Sequence, residues 1–133
     1  MICLIDTSAF LAMLNPKDIN HAAARAAWQE LLDGDAILVV PSCVLTETFA
    51  LVQARFGIAA ARSLHELFYP ILSVEWSNSA DHEAAAEALL AAGRRDLSLV
   101  DCVSFHIMRR MGIRQVFTFD SHFAEQGFSC VPE

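Results

Sequence analysis

The chain opens with Met1-Ile2-Cys3-Leu4-Ile5, a continuous apolar run that stops on Asp6. A run this short, with no polar alternation, fits a strand buried on both faces, the habit of a parallel sheet covered by helices. Such a strand belongs near the centre of the sheet. Asp6 then stands where the strand leaves the sheet, and in open α/β sheets ligands bind in the crevice outside the strands' carboxyl ends. Any group that serves a ligand together with Asp6 must reach that same edge.

Further apolar runs alternate with helical segments. Ser8 to Asn15 reads as a short apolar helix, capped by Thr7 or Ser8 and followed by Pro16. A second helix over Ala22–Leu32 stops at Gly34, and Ala36–Val40 is a strand bounded by Pro41. Ser42 caps a third helix that runs to Phe56 ahead of Gly57, and a fourth, Ile58–Phe68, ends before Pro70. A strand at Ile71–Trp76 precedes an Ala-rich helix over Ser79–Ala92, which Gly93 closes. Ser98-Leu99-Val100-Asp101 opens a helix that runs to Met111, Gln115–Phe119 is the next strand, and Phe128–Val131 is the last. Five strands alternating with helices in one domain, residues 1–133, give an α/β fold: a parallel sheet with helices on both faces.

This order brings acids to one rim. Only Ile113 and Arg114 separate Gly112 from the strand at Gln115, so the preceding helix ends beside that strand's amino end. At about 1.5 Å per helical residue and about 3.3 Å per strand residue the two elements have similar lengths, which returns Asp101 to the carboxyl edge. Asp120 directly follows Phe119 there, and Glu47 lies in the second turn of the helix that leaves the second strand. Asp6, Glu47, Asp101 and Asp120 thus share one edge. Carboxylates gathered without a cation repel one another, and a hard divalent ion such as Mg²⁺ or Mn²⁺, which takes oxygen ligands, resolves that. Such an ion can polarise a phosphoryl oxygen and activate a water for in-line attack. A simpler role stays open for Asp101, because Ser98-x-x-Asp101 is also a capping box. Asp96, beside Arg94 and Arg95, is either an ion-pair partner or a fifth site acid; Thr118 and His122 flank Asp120 on the rim as candidate supporting groups.

Composition narrows the classes. No apolar run approaches the roughly 20 residues of a membrane span, and the N-terminus lacks the basic region of a signal peptide, so a soluble cytoplasmic protein without a membrane partner is expected. Cys3, Cys43, Cys102 and Cys130 form no C-x-x-C pair and read as reduced core thiols. The formal charge of −7 lacks the basic footprint of a nucleic-acid binder, although a cation on converging acids would invert the local charge. Eight of the nine basic residues are Arg, and Arg94, Arg95, Arg109, Arg110 and Arg114 suit phosphate or acidic protein contacts. The helices Val44–Phe56 and Ile58–Phe68 carry more apolar residues than one buried side needs, as a partner or dimer surface would. A phosphorylated-aspartate receiver expects further acid next to Asp6 and a nearby Lys, whereas the chain has Thr7-Ser8 and only Lys17.

The motifs Ile5-Asp6-Thr7-Ser8, Thr46-Glu47, Leu97-Ser98-Leu99-Val100-Asp101-Cys102 and Thr118-Phe119-Asp120-Ser121-His122-Phe123 together resemble the PIN-domain ribonucleases, and within them the toxins of VapBC toxin–antitoxin pairs. The resemblance covers essentially the whole chain. It implies a sheet order of 3-2-1-4-5 and Mg²⁺- or Mn²⁺-dependent endonucleolytic cleavage of RNA, leaving a 5′-phosphate and a 3′-hydroxyl. It also implies a homodimer and a cognate antitoxin that covers the active site. Asp6, Glu47, Asp101 and Asp120 match the family's acidic quartet, and Ser8 matches a hydroxyl that supports it. One departure is visible: many relatives carry a second acid two residues after the fourth, where this chain has His122. The alternative that such a resemblance leaves is a PIN-like module that binds RNA or protein without cutting.

Overall fold

Cys3, Leu4 and Ile5 have no exposed surface, and their alternation along β1 (Ile2–Ile5) divides the interior into two cores. The structure, a computed structural model, describes residues 1–133. β1 pairs in parallel with β2 (Ile37–Pro41) on one side and β4 (Gln115–Phe117) on the other. β3 (Ser73–Glu75) and β5 (Ser129–Val131) complete a parallel sheet in the order β3-β2-β1-β4-β5, so the central placement of the first strand and the expected strand order both hold.

Residues in register share a face. Cys3 and Leu38, with Ile5 and Phe117, join a core of 18 buried residues under α1 (Thr7–Leu14), α2 (His21–Asp33), α3 (Ser42–Phe56) and α4 (Ile58–Ser63). Leu4, Val39 and Val116 lie in the opposite register and join 12 buried residues under α5 (Ser79–Ala92), α6 (Leu99–Met111) and α7 (His122–Glu125). The apolar side of α6 is therefore fixed against the sheet, with Ile107 and Met108 fully buried. No helix is long and apolar enough to cross a membrane, and all four cysteines are free thiols, with burial pushing Cys3 up to about 12.

Several boundaries differ from the sequence-based ones, each for a local reason. The cap of α1 is Asp6 rather than Thr7 or Ser8: Asp6 is extended, its carboxylate accepts the Ser8 N–H, and Thr7 is already helical. The helix expected over Ile58–Phe68 is regular only to Ser63. It continues as a π turn over Leu64–Phe68 and a 3₁₀ turn over Tyr69–Ile71, where Pro70 cannot donate to a regular ladder. β3 consequently starts at Ser73. β4 ends at Phe117 rather than Phe119, because the N–H groups of Phe119 and Asp120 turn to side-chain oxygens instead of a neighbouring strand. The short helix α7 stands where the sequence pattern gives only a connection, and it opens where Asp120 Oδ1 accepts the His122 N–H.

Beneath the sheet's far edge, Asp81 is buried in the capping box of α5, where Asn78 N–H donates to its carboxylate. Arg110 donates from Nε and Nη2 to its two oxygens at 3.0 and 3.1 Å and from Nη2 to Glu75, while His106 Nε2 lies 3.0 Å away. Burial alone would raise the Asp81 carboxyl, but the Asn78 N–H and the Arg110 guanidinium outweigh it and hold it below the ordinary value. A depressed acid adds stability that is present above the unfolded carboxylate range and is lost as pH falls through the folded value. Arg110→Ala, which strips a buried acid of its main partner, is expected to lower stability by about 2 kcal/mol at neutral pH. Urea unfolding of both proteins should show that difference shrinking as the pH is taken below about 4.

Candidate active site

The β1–β4 ladder extends one residue past β1, as Asp6 N–H donates to Phe117 C=O at 3.0 Å. That bond sets Asp6 beside the chain leaving β4. Ser8 Oγ and Thr118 Oγ1 each donate to Asp6 Oδ2, at 2.7 and 2.9 Å, and lie 3.2 Å from each other. The same hydroxyls accept backbone N–H groups: Phe119 donates to Ser8 and Asp120 to Thr118, both at 2.9 Å. One carboxylate oxygen and two hydroxyls thus fasten the ends of the two central strands, while Asp6 Oδ1 makes no hydrogen bond within the chain.

The acids on this rim are held in different ways. Asp101 occupies its capping box, with Ser98 N–H donating to Oδ2 and Asp101 N–H donating to Ser98 Oγ. Asp120 Oδ1 accepts the His122 N–H at the start of α7. Glu47, on the second turn of α3, accepts the Thr7 hydroxyl at Oε1, 2.9 Å away, and Thr48 donates to Thr7 in turn. Ligand atoms of Asp101, Asp120 and His122 lie within 4.8 Å of one another. Asp6 adjoins this group through the Thr118 hydroxyl, and Glu47 stands beside Asp6 rather than within it.

Electrostatics mark the place as unfinished. Burial pushes the Asp6 carboxyl above its ordinary value; the Ser8 and Thr118 hydroxyls oppose the rise, and the charges of Asp101 and Asp120 add to it. Burial also raises Asp101, against the Ser98 N–H, with Asp120 again adding to the rise. Between the acids, His122 Nδ1 is buried 2.8 Å from Asp120 Oδ1 yet has no partner in hydrogen-bond geometry. Acids that repel in a desolvated space, each with one oxygen free of hydrogen bonds, are a donor set that fits a divalent cation.

Asp96 is exposed and outside the acid group, but is not merely an ion-pair partner. Arg94 Nε and Nη2 donate to it at 3.1 and 2.8 Å, and His122 Nε2 meets its Oδ2 at 3.1 Å. Arg94, with His122 next, holds the Asp96 carboxyl well below the usual carboxylate range. The tie from Asp96 to His122 spans the loop before α6 and the turn into α7, and sequence spacing carried no sign of it. The available signal was the histidine standing two residues after Asp120. Of the five arginines offered for phosphate or partner contact, Arg94 and Arg110 are engaged by acids of the chain, and Arg109 bonds Gln126 and lies over the Phe128 ring. Arg95 and Arg114 make no ion pair.

A three-layer parallel α/β domain with clustered acids at the carboxyl edge of its central strands defines a class of metal-centred phosphodiester chemistry. The PIN domain model matches residues 3–129, and the chain belongs to that family. Over 125 residues, 93% of each chain, it is 31% identical to the 23S rRNA-specific endonuclease VapC20 of Mycobacterium tuberculosis. It is 24% identical over 128 residues, 96% of this chain and 94% of the other, to a VapC ribonuclease of Aquifex aeolicus. The crystal structure of Mycobacterium tuberculosis VapC20, a sarcin-ricin loop cleaving toxin, superposes with a TM-score of 0.86 at 30% identity, covering 97% of both chains. FitAcB from Neisseria gonorrhoeae, at 16% identity over 98% of this chain and 96% of that one, shares the fold with a TM-score of 0.70.

The geometry implies that the metal-free protein bears a stability cost at this rim. Asp6→Asn keeps an acceptor for the Ser8 and Thr118 hydroxyls and removes a buried charge facing two others. In chelator-treated samples at neutral pH its thermal midpoint should rise by a few degrees over wild type. A fall of similar size would mean that the Asp6 charge is compensated in a way this geometry does not provide.

Proposed function

We propose that the chain is a divalent-metal-dependent endoribonuclease, using Mg²⁺ or Mn²⁺, and the toxin of a VapBC-type pair. The observation that carries this proposal is the convergence of Asp101 and Asp120 beside the clasped Asp6, in a family whose relatives are VapC ribonucleases. Asp6, Asp101 and Asp120 would hold the ion, with Glu47 completing the quartet from the far side of Thr7. A bound divalent ion supplies positive charge to the phosphoryl oxygens and lowers the pKa of the attacking water.

The chain's own residues then do the positioning. Asp6 offers Oδ1, because Oδ2 is committed to Ser8 and Thr118. Those hydroxyls fix the carboxylate plane without rotamer freedom, a preorganisation that lowers the reorganisation needed at the moment of reaction. Glu47, whose Oε1 is taken by Thr7, has Oε2 free to accept a hydrogen bond from the attacking water. The water oxygen bonds to phosphorus and gives up a proton, the bond from phosphorus to the 3′ oxygen breaks, and that oxygen takes a proton from solvent, so no net proton is gained or lost. The products are a 5′-phosphate and a 3′-hydroxyl.

The reading extends to partners and place. A VapB-type antitoxin and a second copy of this chain are the protein partners, and exposed Phe49 on α3, Ile58 on α4 and Leu67 on the following π turn supply apolar surface suited to them. The enzyme acts in the cytoplasm, where its RNA is. The relative named for 23S rRNA makes that RNA the first substrate to test.

Partner-free protein incubated with 23S rRNA and a mixed RNA pool, with Mg²⁺ or Mn²⁺, is expected to cut, giving 5′-phosphate ends on mapping. Asp6→Asn and Asp101→Asn should each lose cleavage by roughly 10²–10³-fold while keeping their circular dichroism. Wild-type protein that binds RNA but cuts nothing with either ion would instead favour the non-cutting PIN-like module.

A further inference from the structure

Nδ1 of His122 is a buried polar atom without a hydrogen-bond partner. It lies 2.8 Å from Asp120 Oδ1 and 3.9 Å from Asp101 Oδ2. The ring's other nitrogen is committed: Nε2 meets Asp96 Oδ2 at 3.1 Å, and an ionised carboxylate only accepts, so the hydrogen on that side is carried by Nε2. Asp96 is fixed by two bonds from Arg94, which also bonds Glu125 at 2.7 Å. An imidazole held this way by its Nε2 side aims Nδ1 at the space shared by the two carboxylates. A carboxylate behind the remote nitrogen is the arrangement by which metal-bound histidines are oriented and made more basic.

We propose that His122 is a direct ligand, through Nδ1, of the divalent ion, making this centre a mixed nitrogen–oxygen site that favours Mn²⁺ and later first-row ions over Mg²⁺. The proposal rests on the metal-centre reading above and adds the identity of a donor and its consequence for ion choice. The donor spacing suits it: with metal–ligand bonds of about 2.1 Å, neighbouring corners of an octahedron are about 3 Å apart and opposite corners about 4.2 Å. The separations of 2.8 and 3.9 Å lie close to those limits. Mg²⁺ binds oxygen and sheds water reluctantly, whereas an imidazole raises affinity along the first transition row. An acid in place of His122 would leave the position of the donor and change its softness.

The test uses the whole chain, freed of metal and titrated separately with Mn²⁺ and Mg²⁺, comparing wild type, His122→Gln, His122→Asp and Asp96→Ala. Pulsed electron paramagnetic resonance of bound Mn²⁺ should show a directly coordinated nitrogen in wild type and none in His122→Gln. Mn²⁺ affinity should fall about tenfold or more in His122→Gln, and the Mn²⁺/Mg²⁺ affinity ratio should fall about tenfold in His122→Asp. Asp96→Ala changes an exposed residue, so it should fold even if His122 variants do not, and should weaken Mn²⁺ binding by roughly 10- to 100-fold. Bound Mn²⁺ with no nitrogen coupling, or a coupling that survives His122→Gln, overturns the histidine ligand while leaving an all-oxygen centre standing. Wild-type protein that binds neither ion overturns both.

Discussion

The site depends on one carboxylate oxygen. Asp6 Oδ2 accepts the hydroxyls of Ser8 and Thr118, and those hydroxyls accept the N–H groups of Phe119 and Asp120, so β4's continuation is bent around the end of β1. The bend has two consequences. It removes two N–H groups from strand pairing, which ends β4 at Phe117, and it sets Asp120 where its carboxylate accepts the His122 N–H at the start of α7. Replacing either hydroxyl by a methyl would orphan a backbone donor as well as loosen the acid, and an unmet buried donor costs about 1–3 kcal/mol. Fold and site are therefore coupled through the same four hydrogen bonds.

Much of this frame was legible because it is local. The apolar run ending at Asp6 carries the information that a strand is buried on both faces, and β1 is indeed central with both neighbours parallel. Ser98 and Asp101 are three residues apart, and their capping box forms as spacing alone predicts. What spacing could not supply is contact across the chain. Ser8 and Phe119 meet over 111 positions, and Asp96 and His122 over 26. Nothing in a strand threonine distinguishes one that clasps an aspartate from one that fills a pleat, so the early end of β4 and the helix α7 became visible only with the fold.

The arginines show the same limit from the other side. A guanidinium in sequence suits phosphate, an acidic partner or an acid of its own chain equally well. Arg110 closes the buried Asp81 cap of α5 and reaches Glu75 on β3, which makes it a tie between a helix and the sheet edge rather than a contact surface. Arg94 serves Asp96 and Glu125. With these two committed inside a chain of net charge −7, the protein has little fixed positive charge to draw a polyanion to its rim. Local charge there must come from whatever the acids bind, which is how a cation changes the sign of an otherwise repelling surface.

Helix direction supplies the rest of the balance. α1, α3 and α6 all start at the carboxyl edge, because in a right-handed parallel arrangement each helix after a strand departs there and α6 returns its start to it. Their amino ends bring unpaired N–H groups and the positive end of the helix dipole toward the acids, each worth about 0.3–1 kcal/mol to a nearby negative charge. Asp6 exploits this as the cap of α1, accepting the Ser8 N–H, and Asp101 from the first turn of α6, accepting the Ser98 N–H of its capping box. Yet burial still raises both carboxyls above their ordinary range, so dipoles and hydroxyls offset only part of the cost of gathering them. The uncompensated remainder makes this rim a donor set that fits a cation.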